Sequence, residues 1–265
     1  MLQLLSWLAS PDLSSPLDLS VIGLFVGFLP IALLANSRHI PLFHRSGMLM
    51  AYGKFAHNVN AGCPIPSKWG MCILYLPAAA LSIMLSRHFG GRGQLLAYLG
   101  AIHFGKRTLE CVFVHKFSGS MPVLSSFTIS TLYVIVAWIM PYYSNAVPDP
   151  MLRDALQLAG CVLFAVGQLG NGYHHVLLAN LRSGDSKDYK VPRGGLFECV
   201  AAPHYFFELI SWLGVAVTSQ HMNLFLVFLA MTVYLIDRAA NQLRWNQQKI
   251  KGYPLNRMRL VPMVY

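Results

Sequence analysis

Apolar residues in this chain come in runs long enough to cross a lipid bilayer, and that limits the fold more than any other feature. About 20 residues of helix span the hydrocarbon core. Seven runs can be placed: Leu17–Asn36, Gly70–Leu85 (short, carrying Pro77), Leu95–Val114, Val123–Tyr143, Ala155–Leu181, Phe206–Gln220 and Met222–Ile236. Backbone amides in lipid must be satisfied within their own segment, so each run is expected to be a helix. The expected fold is an all-α integral membrane protein, a seven-transmembrane-helix bundle forming a single domain over 1–265. Composition agrees: 55% of the residues are hydrophobic and 11% are charged, against about a quarter charged in a soluble domain. The N-terminal MLQLLSWLAS lacks a basic leader region and reads as an interfacial helix before Pro11 rather than a signal peptide.

The basic residues set the orientation. Arg38, Arg45, Lys54 and Lys68 fall in one loop, Lys116 in another, Arg182, Lys187, Lys190 and Arg193 in a third, and six from Arg238 to Arg259 in the tail. The opposite side keeps Arg87, Arg92 and Arg153. Fifteen cations against three, setting aside the in-span Lys106 and Arg107, predict a luminal N-terminus and a cytosolic C-terminus. The same segregation explains the net charge of +10 by membrane topology and an anionic ligand, not by nucleic acid. Five scattered cysteines without a CxxC favour neither a disulfide framework nor a zinc site.

One stretch, NGYHHVLLANLRSGDSKDYKVPRGGLFECVAAPHYFFE from Asn171 to Glu208, departs from scaffold chemistry. Asn171, His174, His175, Leu178 and Arg182 share a helical face. Polar groups on one face at the cytosolic end of a membrane helix suggest a ligand cleft. The loop beyond supplies Arg182, Lys187, Lys190 and Arg193, cations able to hold phosphates, and Gly194–Gly195 permits close backbone approach. His204 and Glu208, at i and i+4, return polar groups to membrane depth. The alternative is a positive-inside loop beside a helix-packing asparagine.

Three further groups invite two readings each. His103, Arg107 and Glu110 lie within the third run, where Arg107 and Glu110 can pair as a neutralised structural couple. Equally, Arg107 can contact a ligand or order the cleft. His204, Tyr205 and Glu208 open a helix at Pro203. A metal is not expected there, since four ligands at clear spacing are lacking. In the tail, Arg238, Gln242 and Trp245 share a face, while Lys249 and Lys251 fit contact with anionic lipid. No GxGxxG follows a strand, which excludes a Rossmann site.

The Asn171–Glu208 stretch resembles the steroid 5α-reductase and very-long-chain enoyl-CoA reductase family. Asn171, Arg182, Tyr189, Pro192, Gly194–Phe197, Glu208 and the ending GYPLNRMRLVPMVY carry the likeness. YHHVLL, GGLF and PHYFFE are most similar to its plant and algal steroid reductase-like branch. The match is good over roughly the last 165 residues, from HFGKRTLE onward, and loose before. The resemblance implies NADPH as cofactor, bound by the C-terminal half, about 100–265, through Arg107, Asn171, Arg182, Tyr189, Lys190, His204, Glu208 and Arg257. It implies transfer of hydride to the β-carbon of an enone or enoyl thioester while donors polarise the carbonyl. It implies an endoplasmic reticulum membrane, with a mitochondrial membrane as the alternative.

The family's polarising pair, a tyrosine in the third span and a glutamate in the second, aligns here with Phe104 and Tyr75. Cofactor positions usually Asn, His and Tyr read His204, Gln242 and Asn246. Tyr75 becomes the candidate catalytic donor, with Tyr205 or Tyr52 next; alternatively Tyr75 is a packing aromatic bonded to backbone freed by Pro77. HKFSGSMP is more like the enoyl-CoA reductases, whereas AYGKFA and GGLF fit the steroid enzymes. Three functions are thus expected to compete: an ene-reductase of a lipid, a degenerate member serving as a structural subunit of a membrane complex, and a lipid- or sterol-binding protein without redox chemistry.

Overall fold

The computed structural model describes residues 11–23, 63–147, 154–181 and 189–263. Arg182, Lys187, Tyr52, the MLQLLSWLAS segment and the first run beyond residue 23 therefore lie outside the described residues. After a helical segment over 16–23 come α1 (Ser67–His88), α2 (Gly91–Leu109), α3 (Val123–Ala146), α4 (Asp154–Asn180), α5 (Pro203–Ser219) and α6 (Met222–Lys249). Four of these, α1, α3, α4 and α6, are long and apolar enough to cross a membrane. The protein is an all-α membrane protein. Among the described residues, α2 falls short through its charges and α5 through its length.

The bundle forms in two halves joined at the middle. Helices α1, α2 and α3 pack on one another, and α4 packs along α5. Without a hydrophobic drive between helices in lipid, small residues decide how close they come. A Cβ on Gly214 of α5 would reach 2.5 Å from the Phe164 backbone nitrogen of α4, so only glycine allows this crossing. That close approach carries Asn171 on α4 to the start of α5. Pro203 occupies the first turn of α5, where a missing N–H costs nothing. His221 caps α6, its Nδ1 accepting from the Asn223 amide at 3.1 Å.

Two short strands tie α1 to α3 at their N-termini. β1 (Pro64–Pro66) pairs antiparallel with β2 (Ser120–Pro122), with Ile65 opposite Met121. At the other end, Asn223 Nδ2 donates to Asp18 Oδ1 at 3.0 Å, fixing the 16–23 segment to α6. Helix α2 does not stop at Leu109 but opens into a π-helical turn, Glu110–Val114. Such turns are rare and concentrate at functional sites. Helix α6 runs 28 residues to Lys249, well past the expected span end at Ile236. The tail then returns, with Met258 bridging Val200 in parallel.

Candidate active site

The π turn presents Glu110 to three cationic or basic groups. Lys106 Nζ donates to it at 2.8 Å and Arg107 Nη1 at 2.7 Å. His175 Nδ1 from α4 lies 2.9 Å from the same carboxylate. Arg107 has a second arm: Nη2 donates to the Tyr75 hydroxyl of α1 at 3.1 Å, and the guanidinium stands 5.0 Å from the Tyr75 ring centroid. Arg107, Glu110, His175 and Tyr75 are all buried. A buried charge set of this kind is costly unless its members pair with one another; here both terminal nitrogens of Arg107 are engaged, while its Nε has no hydrogen-bond partner among the described residues.

Asn171 joins this cluster to α5. Its Oδ1 accepts from Lys106 Nζ at 2.6 Å, and its Nδ2 donates to the His204 carbonyl at 2.9 Å. Glu208, one turn along α5, is buried on the side that faces Arg107 and Lys106. Both readings of Asn171 therefore survive: it packs helices, and it does so inside the polar cluster.

Glu110, His115 and His175 offer three ligand atoms within 4.8 Å of one another, the geometry of a potential metal site. Arg107 Nη1 sits among them, 2.7 Å from Glu110, 3.0 Å from His175 Nδ1 and 3.4 Å from His115 Nε2. A guanidinium nitrogen already supplies the positive charge at that point. Adjacent His174 looks the other way. Its Nδ1 donates to the Gly170 carbonyl at 2.7 Å, and its Nε2 accepts from the Leu196 amide at 3.1 Å.

That bond to Leu196 seats the glycine turn. Gly194 and Gly195 take φ of 87° and 53°, and a Cβ on Gly195 would reach 2.7 Å from His174 Nε2. Glu198 closes the turn, accepting from the Gly194 amide at 2.9 Å and from Arg193 at 3.1 Å. These contacts hold its carboxyl below the usual carboxylate range, the amide bond being the largest cause. The returning tail places Arg257 beneath the turn, where Nη1 donates to the Pro192 carbonyl at 2.9 Å. Arg257 is buried, yet its Nε and Nη2 carry no hydrogen bond among the described residues; Nη2 lies 3.6 Å from Glu198. Tyr189, half exposed, meets Trp245 of α6 edge to face at 4.5 Å.

The model of the 3-oxo-5-alpha-steroid 4-dehydrogenase family matches residues 120–265, which include α4, the glycine turn, α5 and the tail. The chain belongs to this family. It is 28% identical to the Bos taurus 3-oxo-5-alpha-steroid 4-dehydrogenase 1 over 80% of its length and 87% of that enzyme. It is 30% identical to the Dictyostelium discoideum very-long-chain enoyl-CoA reductase over 67% of its length, spanning 59% of that enzyme. A 26% likeness extends to the Arabidopsis thaliana polyprenal reductase 1, over 66% of each chain. As a member of this family the protein is classed with membrane oxidoreductases of lipid metabolism.

Of the residues singled out in the sequence, Arg107, Asn171, His204, Glu208 and Tyr75 gather in or against the buried cluster of this family member. Arg257, Tyr189 and Lys190 lie at the glycine turn and tail, Lys190 exposed. Tyr205 stands apart from Tyr75, packed with Ala202, Ala239 and Leu260 towards the tail. Two participants were missed. Lys106 was set aside as an in-span charge, although it lies four residues before Glu110 and pairs with it, and His115 lies just past the third run, where it follows the π turn to Arg107. The Tyr75 hydroxyl accepts from Arg107.

Proposed function

We propose that the protein is an NADPH-dependent reductase of a carbon–carbon double bond conjugated to a carbonyl in a lipid, of the 3-oxo-Δ4-steroid or trans-2-enoyl-CoA type. The observation that carries this reading is the Arg107–Tyr75 pair inside the bundle. A phenol that accepts a hydrogen bond from a cation becomes a stronger donor through its own hydrogen, because charge assistance propagates along the chain of bonds. Tyr75 then polarises the substrate carbonyl, and Tyr205 is the alternative donor. Names of the relatives, reductases of steroid, enoyl-CoA and polyprenal substrates, support the reaction class.

The residues fit the cofactor by their chemistry. Arg257 has buried donors without hydrogen bonds, Arg193 and Lys190 add exposed cations, and the positive-φ glycines bring backbone amides close to the same place. When bound, NADPH supplies hydride. Arg182, Lys190 and Arg257 would hold its phosphates, Tyr189 would border it, and Asn171, His204, Glu208 and Arg107 would orient its reactive end. We assign the C-terminal half, about 100–265, to the cofactor within a single domain. We also assign seven spans, a luminal N-terminus, a cytosolic C-terminus and residence in the endoplasmic reticulum membrane.

One observation favours a second reading. Gln242 Nε2 donates to Asn246 Oδ1 at 2.6 Å, so two departures from the family pattern bond to each other. A degenerate member held as a structural subunit of a membrane complex would show this. Calorimetry of NADPH on the purified protein, followed by turnover of a steroid enone and an enoyl thioester, decides between them. Binding with turnover of either lipid supports the reductase; failure of NADPH to bind gives way to the subunit.

A further inference from the structure

One helical turn deeper than Lys106, Asn171 and Glu208, the same three helices carry a second polar layer. His103 precedes Lys106 by three residues, Gln168 precedes Asn171 by three, and Trp212 follows Glu208 by four, so each lies about 4.5 to 6 Å further along its helix. Gln168 Nε2 lies 2.9 Å from His103 Nδ1. An amide nitrogen can only donate, so His103 Nδ1 accepts and its proton resides on Nε2. The His103 ring meets Trp212 at 5.0 Å and Phe104 at 5.0 Å, both edge to face. Gln168 and Trp212 therefore flank one imidazole, with Phe104 and, behind it, Tyr133 as an aromatic wall.

This layer is unfinished. Trp212 is 3% exposed and Gln168 8%, yet Trp212 Nε1–H and Gln168 Oε1 have no hydrogen-bond partner among the described residues. A buried polar group without a partner is rare in folded proteins and costly. One orphan is a donor and the other an acceptor. A carbonyl would satisfy only the indole, and a cation only the amide. A hydroxyl satisfies both, accepting from Trp212 and donating to Gln168.

We propose that Gln168, His103 and Trp212 form a receptor for a hydroxyl group of the lipid substrate, remote from the double bond that is reduced. The role of His103 is positioning: by accepting from Gln168 Nε2 it turns Gln168 Oε1 towards the lipid. The receptor selects hydroxylated lipids over their deoxy counterparts, because a site built to bond a hydroxyl leaves two buried groups unpaired when the hydroxyl is missing. The assignment rests on the reductase reading for its substrate, but the receptor itself is readable without turnover.

The test uses the full-length protein in detergent with a 3-keto-Δ4 steroid bearing a distal hydroxyl and the same steroid without it. Equilibrium binding is measured first, and NADPH-dependent reduction second. The wild type is expected to bind the hydroxylated lipid at least tenfold more tightly. Gln168→Leu and Trp212→Phe, made separately, are each expected to bring the two affinities within threefold while leaving the deoxy lipid unchanged. Equal binding of both lipids by the wild type overturns the proposal, and so does a preference that survives both substitutions. A more heat-stable double variant with unaltered lipid binding also overturns it, since the layer would then hold only water. A preference for the hydroxyl without reduction of either lipid leaves the receptor standing and removes the reductase.

Discussion

Arg107 holds Glu110 with one guanidinium nitrogen and Tyr75 with the other, at 2.7 and 3.1 Å, so the π turn of α2 and the middle of α1 share one cation. A lysine offers a point charge instead of a fork and cannot span both. Tyr75→Phe is expected to lower the turnover of an enone lipid about a hundred- to a thousandfold, the usual cost of one polarising donor. Arg107→Lys should fall in the same direction, with kcat affected more than KM. A Tyr75→Phe rate within a few-fold of wild type would remove Tyr75 as the donor and turn attention to Tyr205.

Arg257 makes the cofactor assignment measurable. Its two nitrogens without hydrogen bonds sit beneath the glycine turn, and a hydrogen bond to a charged group is worth about 1.5–3 kcal/mol. Arg257→Ala is expected to weaken NADPH binding at least tenfold in calorimetry. Arg182→Ala should do the same, and more strongly for NADPH than for NADH. Equal losses for the two cofactors would detach Arg182 from the extra phosphate.

The turn should loosen in acid. Glu198 is held below its usual carboxylate pKa of 4.5, first by the Gly194 amide and then by Arg193. A carboxylate depressed on folding stabilises the turn fully above its unfolded pKa and loses that contribution as pH falls through the folded one. Amide exchange across 189–199 is therefore expected to be steady from pH 7 to 5, after allowance for intrinsic rates, and to lose protection below 4.5. Glu198→Gln should show the low-pH protection already at pH 7; a variant matching wild type there would dismiss the carboxylate as the clasp.

Close helix packing predicts a folding defect. A Cβ at Gly214 would come within 2.5 Å of backbone in α4, and overpacking typically costs about 1–3 kcal/mol. Gly214→Val is expected to lower the thermal midpoint in detergent. It should also weaken NADPH binding, since the same crossing brings Asn171 to His204. Unchanged stability would show that α4 and α5 can separate without penalty.

Orientation has its own check. Cysteines placed at Asn145, at the end of α3, and at Ser186, six residues beyond the end of α4 in the sequence, are expected to label from opposite sides of the membrane. Labelling of both from one side would overturn the luminal N-terminus and cytosolic C-terminus.

The sequence by itself determined the membrane class and the family, and it placed three of the membrane helices closely. Apolar run length and family motifs are local properties, and α1, α3 and α4 formed close to where the runs lie. The start of α5 at Pro203 was legible for the same reason, because proline acts on its own turn. The shared face of Arg238, Gln242 and Trp245 showed that the tail is helical, but not that it continues α6 unbroken to Lys249, packed by Tyr189 at Trp245 and Tyr205 at Ala239. Nor could spacing show that Arg107 would choose Tyr75 as well as Glu110: residues 32 apart meet only when α1 and α2 pack. His174 and His175 are neighbours in sequence, yet one seats the glycine turn and the other joins the charge cluster. A helix turns about 100° per residue, so adjacent side chains serve different partners. Which partners those are was decided by the crossings of α2, α4 and α5, which bring Glu110 to His175 and Lys106 to Asn171.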